Sequence, residues 1–272
     1  MNSAIIGLLA ETSIHPGTGR STGVVDLPVA REAATDYPVI NGSSLKGALR
    51  DQSRKIRGLD ENIFGNQDEA GALLISDGRL LLLPVRSLTG AYRWVTCPYL
   101  IERYQRDLKR AGLGTLPPVP SVNQFCALAT VEENLFLEER EFRVTGAPPQ
   151  ELIEALSALI AHDATRRRLS RQLVVLHDND FAWFARYGLP IQARNQLDKD
   201  TKKSENLWFE ESLPPDTLMY ALVVERNQGA LEVLDRLFPA GRAYLQAGGN
   251  ETVGQGWFAV TIQRVTGVLK EA

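Results

Sequence analysis

Two side chains that could take part in acid–base or metal chemistry lie in one long loop. Residues 15–42 show neither a helical nor a strand period; His15 opens this stretch, and Asp26 lies within it between Val25 and Leu27. An imidazole can exchange a proton near neutral pH, and a carboxylate can bind a divalent metal or accept a proton. A loop carboxylate can also simply bond nearby backbone N–H groups, and a lone histidine is often only a hydrogen-bonding residue. Spacing alone leaves both interpretations open.

The helix that we predict after this loop, over residues 43–57, could bind phosphate. Ser43 or Ser44 can cap its first turn, and Lys46 and Arg50 follow along one face. Free backbone N–H groups at a helix start, with hydroxyls and a cation nearby, bind phosphate well. The alternative is a basic helix face that is only solvated.

Two further segments could contact a nucleic acid. Gly248 and Gly249 begin a glycine-rich loop over residues 248–256, and such a loop lets a backbone come very close to a ligand. The alternative is a tight bend between two strands. Trp208 and Phe209 could stack on bases, although adjacent aromatic residues are more often part of a core.

Several nucleotide and metal motifs are excluded by spacing. Residues 17–22 lack the P-loop pattern, and the glycines of residues 248–256 lack the dinucleotide-binding pattern. Residues 198–209 begin like a calcium loop, but lysines and a phenylalanine occupy ligand positions. No Ser-His-Asp or paired-carboxylate spacing is present, so the residues alone do not indicate an enzyme.

Composition sets outer limits on the class of protein. The chain has 272 residues, is 44% hydrophobic and 23% charged, and carries a net charge of −3. That balance argues against a protein that coats nucleic acid through bulk charge. Cys97 and Cys126 show no metal-binding or disulfide spacing. With no signal peptide and no membrane-spanning run in the sequence, we expect a cytoplasmic protein without a membrane partner.

The predicted elements alternate irregularly between strands and helices. A strand over residues 4–14 leads into the long loop, and Asp77-Gly78 is typical of a tight hairpin turn. The polar segment 190–215, which includes Arg194, predicts a protruding hairpin that presents Trp208 and Phe209. These features favour an α+β fold built on a β-α-β-β-α-β unit over a parallel doubly wound sheet.

Taken in order, the motifs along nearly the whole chain resemble the RAMP superfamily. The resemblance is strongest to the repeated backbone subunit of type III-B, or Cmr-type, CRISPR complexes. It rests on His15-Pro-Gly-Thr-Gly19, Val25-Asp-Leu-Pro-Val29, Pro38-Val-Ile-Asn-Gly-Ser-Ser-Leu-Lys-Gly-Ala-Leu-Arg50, Ile63-Phe-Gly65, Leu83-Pro-Val-Arg-Ser87, Val95-Thr-Cys-Pro98, Phe209-Glu-Glu-Ser-Leu-Pro214 and Gly248–Trp257.

The resemblance implies a single RAMP-type domain over residues 1–272. Its expected fold is α+β, with an RRM-like (ferredoxin-like) palm, large insertions and a protruding thumb hairpin over about residues 190–215. Copies of the chain would stack along a guide RNA together with other Cmr-type subunits. Target RNA paired to the guide would be cut at regular intervals with a divalent metal, Mg²⁺ or Mn²⁺.

The resemblance also assigns residues. Asp26 matches the cleavage aspartate, which could also bind the metal, and His15 matches a loop residue near that site. The predicted guide-contact residues are Ser43, Ser44, Lys46, Arg50, Gly248 and Gly249. Arg194, Trp208 and Phe209 fall in the thumb segment.

Two other functions remain open at this stage. The chain could be a scaffold that binds guide RNA while another subunit cuts. It could instead be a RAMP-type enzyme that processes guide precursors alone and without metal, with His15 as acid or base.

Overall fold

The computed structural model describes residues 2–59, 61–66, 68–119, 121–130 and 134–265. The predicted domain over residues 1–272 therefore extends at both ends beyond the described residues. The strands are β1 Ser3–Ala10, β2 Val39–Ile40, β3 Leu73–Ile75, β4 Gly78–Ser87, β5 Gly90–Thr96, β6 Cys126–Ala129, β7 Leu135–Leu137, β8 Arg140–Gly146, β9 Leu173–Leu176, β10 Ile191–Leu197, β11 Ser204–Glu211, β12 Leu218–Glu225, β13 Tyr244–Gln246 and β14 Trp257–Arg264. The α-helices are α1 Gly42–Arg54, α2 Pro98–Arg110, α3 Gln150–Ser157, α4 Asp163–Gln172, α5 Asp178–Tyr187 and α6 Val233–Leu237.

The first half of the main sheet is antiparallel and runs in the order β13-β14-β1-β12-β4. Its central strands, β1 and β12, are buried along their whole length. Both faces of these strands are therefore covered, which explains their nearly continuous apolar sequences. The mixture of helices and mostly antiparallel strands confirms the predicted α+β class.

β3 and β4 do not form the hairpin that Asp77-Gly78 predicts. Both strands run antiparallel to β12, with Ile75 opposite Val223 and Arg79 opposite Tyr220. Together they make one interrupted strand, so the hairpin prediction is wrong. The aspartate has another partner: its carboxylate accepts the backbone N–H of Gly42 at 2.7 Å.

The second half of the main sheet closes on itself. From β4 it continues through β5, β9, β6, β8 and β7, and Ser87 of β4 also pairs with Leu137 of β7. Two of its pairings, β5 with β9 and β6 with β8, are parallel. Large apolar side chains on its strands, such as Trp94 and Phe142, are almost fully buried.

Strands β10 and β11 form a separate two-stranded sheet within the predicted hairpin segment. They pair from Ile191 opposite Glu211 to Leu197 opposite Ser204. All residues of β10 except Arg194 are exposed. Among the helices of the described part of the chain, none is long and apolar enough to cross a membrane.

Gly7 in β1 provides a test of how tightly the turn after α3 packs on the sheet. A Cβ at this position would lie 2.6 Å from the carbonyl oxygen of Leu159. We predict that Gly7→Ala lowers the free energy of unfolding by about 1–3 kcal/mol, as overpacking usually does. Gly47→Ala is the control, because a Cβ there meets nothing within 4 Å. In a helix it should stabilise by about 0.5–1 kcal/mol. Urea unfolding of both variants measures the difference, and equal effects would contradict this packing.

Candidate cleavage site and nucleic-acid interface

The long loop after β1 has a defined path. Gly17 pairs with Val29 in an antiparallel bridge, and the N–H of Ala30 donates to the carbonyl of Pro16 at 2.7 Å. Nearer the tip, the N–H of Ser21 donates to the carbonyl of Asp26 at 2.8 Å. The first half of the loop is thus an irregular hairpin of its own, which holds Asp26 close to its tip.

This loop docks along the free edge of β11. The N–H of Leu27 donates to the carbonyl of Phe209 at 3.0 Å, and the N–H of Glu211 donates to the carbonyl of Leu27 at 3.0 Å. Leu27 therefore forms a parallel bridge opposite Glu210. The loop acts as a short third strand of the β10–β11 sheet, which fixes its position relative to that sheet.

Asp26 is oriented by the same strand. Its Oδ2 atom accepts the backbone N–H of Phe209 at 2.8 Å, and the residue is half-buried. The carboxylate does bond a backbone N–H, as the turn interpretation expects, but the donor lies 183 positions away. Within the described residues, Oδ1 has no hydrogen bond, so one carboxylate oxygen is held while the other is left for chemistry.

His15 joins three segments of the site. It is 8% exposed, and its Nδ1 atom lies 2.7 Å from the carbonyl oxygen of Glu211. Because a carbonyl only accepts, Nδ1 carries a proton in this arrangement. The carbonyl of His15 accepts the N–H of Gly249 at 2.9 Å. His15 therefore ties the loop to both β11 and the glycine-rich loop.

Two glycines of the glycine-rich loop lie where a side chain would crowd His15. Gly248 has a φ of +97°, and a Cβ there would lie 3.0 Å from the carbonyl oxygen of His15. At Gly249 a Cβ would lie 3.3 Å from Cδ2 of the same imidazole. The close backbone approach in the structure is to His15, and the predicted contact of this loop with a nucleic acid stays a prediction.

Glu210 and Asn250 form a partly buried polar contact that was not predicted from the sequence. Glu210 is 3% exposed, and its Oε1 atom accepts the side-chain amide of Asn250 at 2.5 Å. Arg194 lies 3.8 Å from the same oxygen. These contacts tie the glycine-rich loop to the hairpin sheet; the only sequence signal was the acidic pair within the Phe209–Pro214 motif.

The aromatic pair does not form one stacking surface. On β11, Trp208 lies opposite Arg194 and Phe209 lies opposite Ala193. Neighbouring residues of a strand point to opposite faces, so the prediction of a jointly presented pair is wrong. Phe209 is 42% exposed, whereas Trp208 is half-buried and its indole N–H is buried without a partner.

Helix α1 begins at Gly42 rather than at a capping serine. Asn41 is the N-cap and makes no side-chain cap bond, so the prediction that Ser43 or Ser44 caps the helix is wrong. The carboxylate of Asp77 accepts a hydrogen bond from the backbone N–H of Gly42. The next backbone N–H groups, of Ser43 and Ser44, lie in the first turn, where a helix offers no carbonyl partner.

Two polar clefts flank this first turn. One, of about 360 Å³, is lined by Ser44 and Gly47 on the helix and by Gly248 and Gly249 opposite. The other, of about 590 Å³, is lined by residues that include Ser43 and Lys46. The structure thus gathers five of the six predicted guide-contact residues around the start of α1.

Arg50 differs from the other predicted contacts. Its guanidinium donates to the carbonyl of Gly65 at 3.4 Å, and it lines neither of the two clefts. The structure therefore places Arg50 against a neighbouring turn and does not bring it to the helix start.

A metal centre is not assembled by the described residues alone. They contain no group of three or more His, Cys, Asp or Glu side chains that could hold an ion. Asp26 could still contribute one carboxylate, since Mg²⁺ is usually held by one or two carboxylates together with phosphate oxygens and water. The predicted divalent metal stays a prediction.

Comparison with known proteins places this geometry in a family. Residues 8–259 match the family model of the RAMP superfamily. The chain is 33% identical to the curated "CRISPR system Cmr endoribonuclease Cmr4" of Pyrococcus furiosus, over 98% of this chain and 97% of that protein.

Solved structures agree with the family match. The crystal structure of oligomeric Cmr4 from Pyrococcus furiosus has a TM-score of 0.76 at 28% identity and covers 98% of this chain and 100% of that one. A chain from the cryo-EM structure of type III-B Cmr-beta bound to cognate target RNA has a TM-score of 0.77, covering 96% of this chain and 97% of that one. At 20% identity, the second likeness concerns the fold.

Gly248 tests the close approach of the glycine-rich loop to His15. We predict that Gly248→Ala destabilises the protein more than Gly254→Ala. Both positions have a positive φ, of +97° and +81°, but a Cβ at Gly254 meets nothing within 4 Å. The control, Gly254→Ala, should lower the free energy of unfolding by about 1–2 kcal/mol, because alanine is strained in the left-handed backbone conformation. Gly248→Ala should lose roughly 1 kcal/mol more through its contact. Denaturant unfolding measures both, and a smaller loss at Gly248 would contradict the contact.

Proposed function

The chain belongs to the RAMP superfamily, and we propose that it is the backbone subunit of a type III-B CRISPR complex that binds guide RNA and cleaves complementary target RNA. The single observation that carries the cleavage role is the orientation of Asp26. One of its carboxylate oxygens is bonded to the hairpin sheet, which leaves the other free to act on RNA. The curated relative named an endoribonuclease supports the same activity.

The proposed guide-binding surface is the start of α1. Ser43, Ser44 and Lys46 combine backbone N–H groups, hydroxyls and a cation, which suits a phosphate backbone. Gly248 and Gly249 form the opposite wall of one cleft and add no side chain of their own to it. Such contacts read the shape of the backbone, and base pairing between guide and target supplies the sequence specificity.

The proposed cleavage step depends mainly on positioning. When a nucleotide is turned out of the guide–target duplex, its 2′-hydroxyl can line up with the adjacent phosphate, and correct geometry lowers the barrier substantially. Asp26 would accept the proton of this hydroxyl as its oxygen bonds to phosphorus, while the bond from phosphorus to the 5′-oxygen of the next nucleotide breaks and that oxygen takes a proton from water. A divalent ion, Mg²⁺ or Mn²⁺, bound to Asp26 and to RNA oxygens would neutralise charge at the phosphate. His15 supports this site by fixing the loop to β11.

The finer architecture that we propose is an RRM-like palm with a thumb hairpin. Support for the palm comes from the antiparallel strand order β14-β1-β12-β4, with α1 after β1 and α6 between β12 and β14. This is the arrangement of a β-α-β-β-α-β unit. The β10–β11 sheet, with exposed Phe209 and Leu207, is the proposed thumb that inserts into the duplex. Residues 1–272 would form one such domain.

The proposed partners are guide RNA, target RNA, further copies of this chain and other Cmr-type subunits. The oligomeric Cmr4 structure and the target-bound Cmr-beta structure support this set. We propose the cytoplasm as the compartment. Both cysteines are free thiols in the structure, as is usual where thiols are kept reduced.

A non-catalytic scaffold is the second candidate function. It is favoured by one observation: the Asp26 carboxylate bonds a backbone N–H, as a carboxylate with a purely structural role would. A scaffold and a nuclease would bind guide RNA in the same way. They differ only in whether Asp26 is needed for cutting.

Asp26→Asn separates these functions. An asparagine can still accept the N–H of Phe209, so the loop should keep its position while the charge is lost. We predict that assembled complexes with this variant bind target RNA normally and cut it at least about a hundredfold more slowly, since general acid–base catalysis typically contributes 10²–10⁴-fold. The control is Asp36→Asn in the same loop, because Asp36 is exposed and has a positive φ that asparagine tolerates. Unchanged cutting by the Asp26 variant would leave the scaffold function.

Lys46→Ala tests the guide-binding surface. We predict a several-fold loss of affinity for guide RNA, with the slope of log affinity against log salt reduced by about 1. The cutting rate of complexes that do assemble should change less. Lys55→Ala is the control, because Lys55 lies on the turn after α1 and already pairs with Asp51 at 3.0 Å. Equal affinity of the Lys46 variant and the wild type at each salt concentration would count against this surface.

A further inference from the structure

We propose that Glu211 is a positioning residue, which sets the angle at which Asp26 meets the RNA. This inference rests on the proposed function and extends it to a side chain that has no direct part in the chemistry. Glu211 is the last residue of β11, two positions after Phe209. It is 6% exposed, so RNA cannot reach its carboxylate.

Both oxygens of the Glu211 carboxylate are already bonded to the loop that carries Asp26. Oε2 accepts the backbone N–H of Val29 at 3.0 Å, and Oε1 accepts a guanidinium N–H of Arg31 at 2.7 Å. Charge-assisted bonds of this kind are stronger than neutral ones. They hold the loop a few residues after Asp26.

The backbone of Glu211 bonds to the same loop. Its N–H donates to the carbonyl of Leu27 at 3.0 Å, and its carbonyl lies 2.7 Å from the protonated Nδ1 of His15. One residue of the hairpin sheet therefore contacts four residues of the loop, located before and after Asp26. No other contact described above spans the site in this way.

Arg31 makes the charge of Glu211 necessary. The arginine also donates to the carbonyls of Asp36 and Ala185, both at 2.8 Å, and its side chain is only 17% exposed. These carbonyls bear no charge, so Glu211 is the anion that compensates the guanidinium. Removing the anion alone would leave a poorly hydrated cation, which is strongly unfavourable. The loop should then shift to let Arg31 reach solvent.

A shift of this loop should affect cutting far more than binding. Asp26 depends on the spacing between the loop and β11, because its carboxylate is bonded to Phe209. Displacements of about 1 Å can slow catalysis by about a hundredfold. The start of α1 has no contact with the Glu211 carboxylate, whereas Pro16, Gly17 and Ala30 of the loop line one of its two clefts, so guide affinity should change much less than the cutting rate.

The test is single-turnover cleavage by assembled complexes that carry Glu211→Gln. We expect the rate at saturating complex to fall about ten- to a hundredfold, while the complex concentration that gives half the maximal rate stays within twofold of wild type. Glu154→Gln on α3 is the matched control, since that residue is exposed and, within the described part of the chain, its carboxylate bonds the side chain of Gln150. A Glu211→Gln rate within twofold of wild type, or a loss confined to the half-saturating concentration, would overturn the proposal.

A second variant covers the case in which Glu211→Gln fails to assemble. Arg31→Gln combined with Glu211→Gln replaces the ion pair with two amides and leaves no buried charge unpaired. The double variant removes the unpaired cation but also the charge-assisted bond that holds the loop to β11, so it should still cut more slowly than the wild type, and wild-type cutting overturns the proposal. Failure of both variants to assemble also overturns the proposal, because Glu211 would then be needed for folding. The losses of cutting rate caused by Arg31→Gln alone and by Glu211→Gln alone should not add up to the loss in the double variant, because both remove the same ion pair.

Asp26→Asn in the same assay separates the two claims. If that variant cuts normally, the proposed function fails, whatever Glu211 does. If it does not cut while Glu211→Gln cuts at the wild-type rate, only the positioning role fails.

Discussion

The pairing of residues 26–29 with the outer edge of β11 is the contact on which the candidate site depends. An unpaired strand edge presents a row of N–H and C=O groups that need partners. Here the loop after β1 supplies those partners, through the backbone of Leu27 and the carboxylate of Asp26. The same contact that completes a two-stranded sheet therefore orients the one carboxylate proposed to act on RNA. Any movement of the hairpin is passed directly to that carboxylate.

The charged residues that stabilise the fold differ from those proposed to bind RNA. Several acidic residues are buried against arginines: Glu211 against Arg31, and Asp107 against Arg79. These pairs stabilise the path of the chain, so their arginines are already neutralised by a protein carboxylate. Lys46 stands apart as a cation beside free helix N–H groups. A small local excess of positive charge can suffice when several copies share one RNA, because the contacts act together.

Several elements of the fold could be predicted from local sequence, whereas the geometry of the candidate site depends on contacts between residues that are distant in the chain. The strand β1 follows from its apolar run, and the helix α1 was predicted to within a residue of its observed start. The hairpin prediction at Asp77-Gly78 was wrong because the same dipeptide suits both a hairpin turn and an interruption within one strand. Strand β5 was missed because Tyr92 and Arg93 interrupt its apolar pattern, and it is fully buried only from Trp94 onwards. The bonds that join Glu211 and Phe209 to the loop span more than 180 positions, and no spacing rule reaches that far.

The most direct measurement of the central claim is a structure of the assembled complex with guide RNA and a target whose cleavage-site ribose lacks the 2′-hydroxyl. The quantity to read is the distance from the free oxygen of Asp26 to the C2′ atom of the turned-out nucleotide. Our account predicts about 3–5 Å, which allows direct contact or one bridging water or ion once the hydroxyl is present. It also predicts that Oδ2 remains bonded to the N–H of Phe209. A separation of about 10 Å or more, or a loop detached from β11, would contradict it.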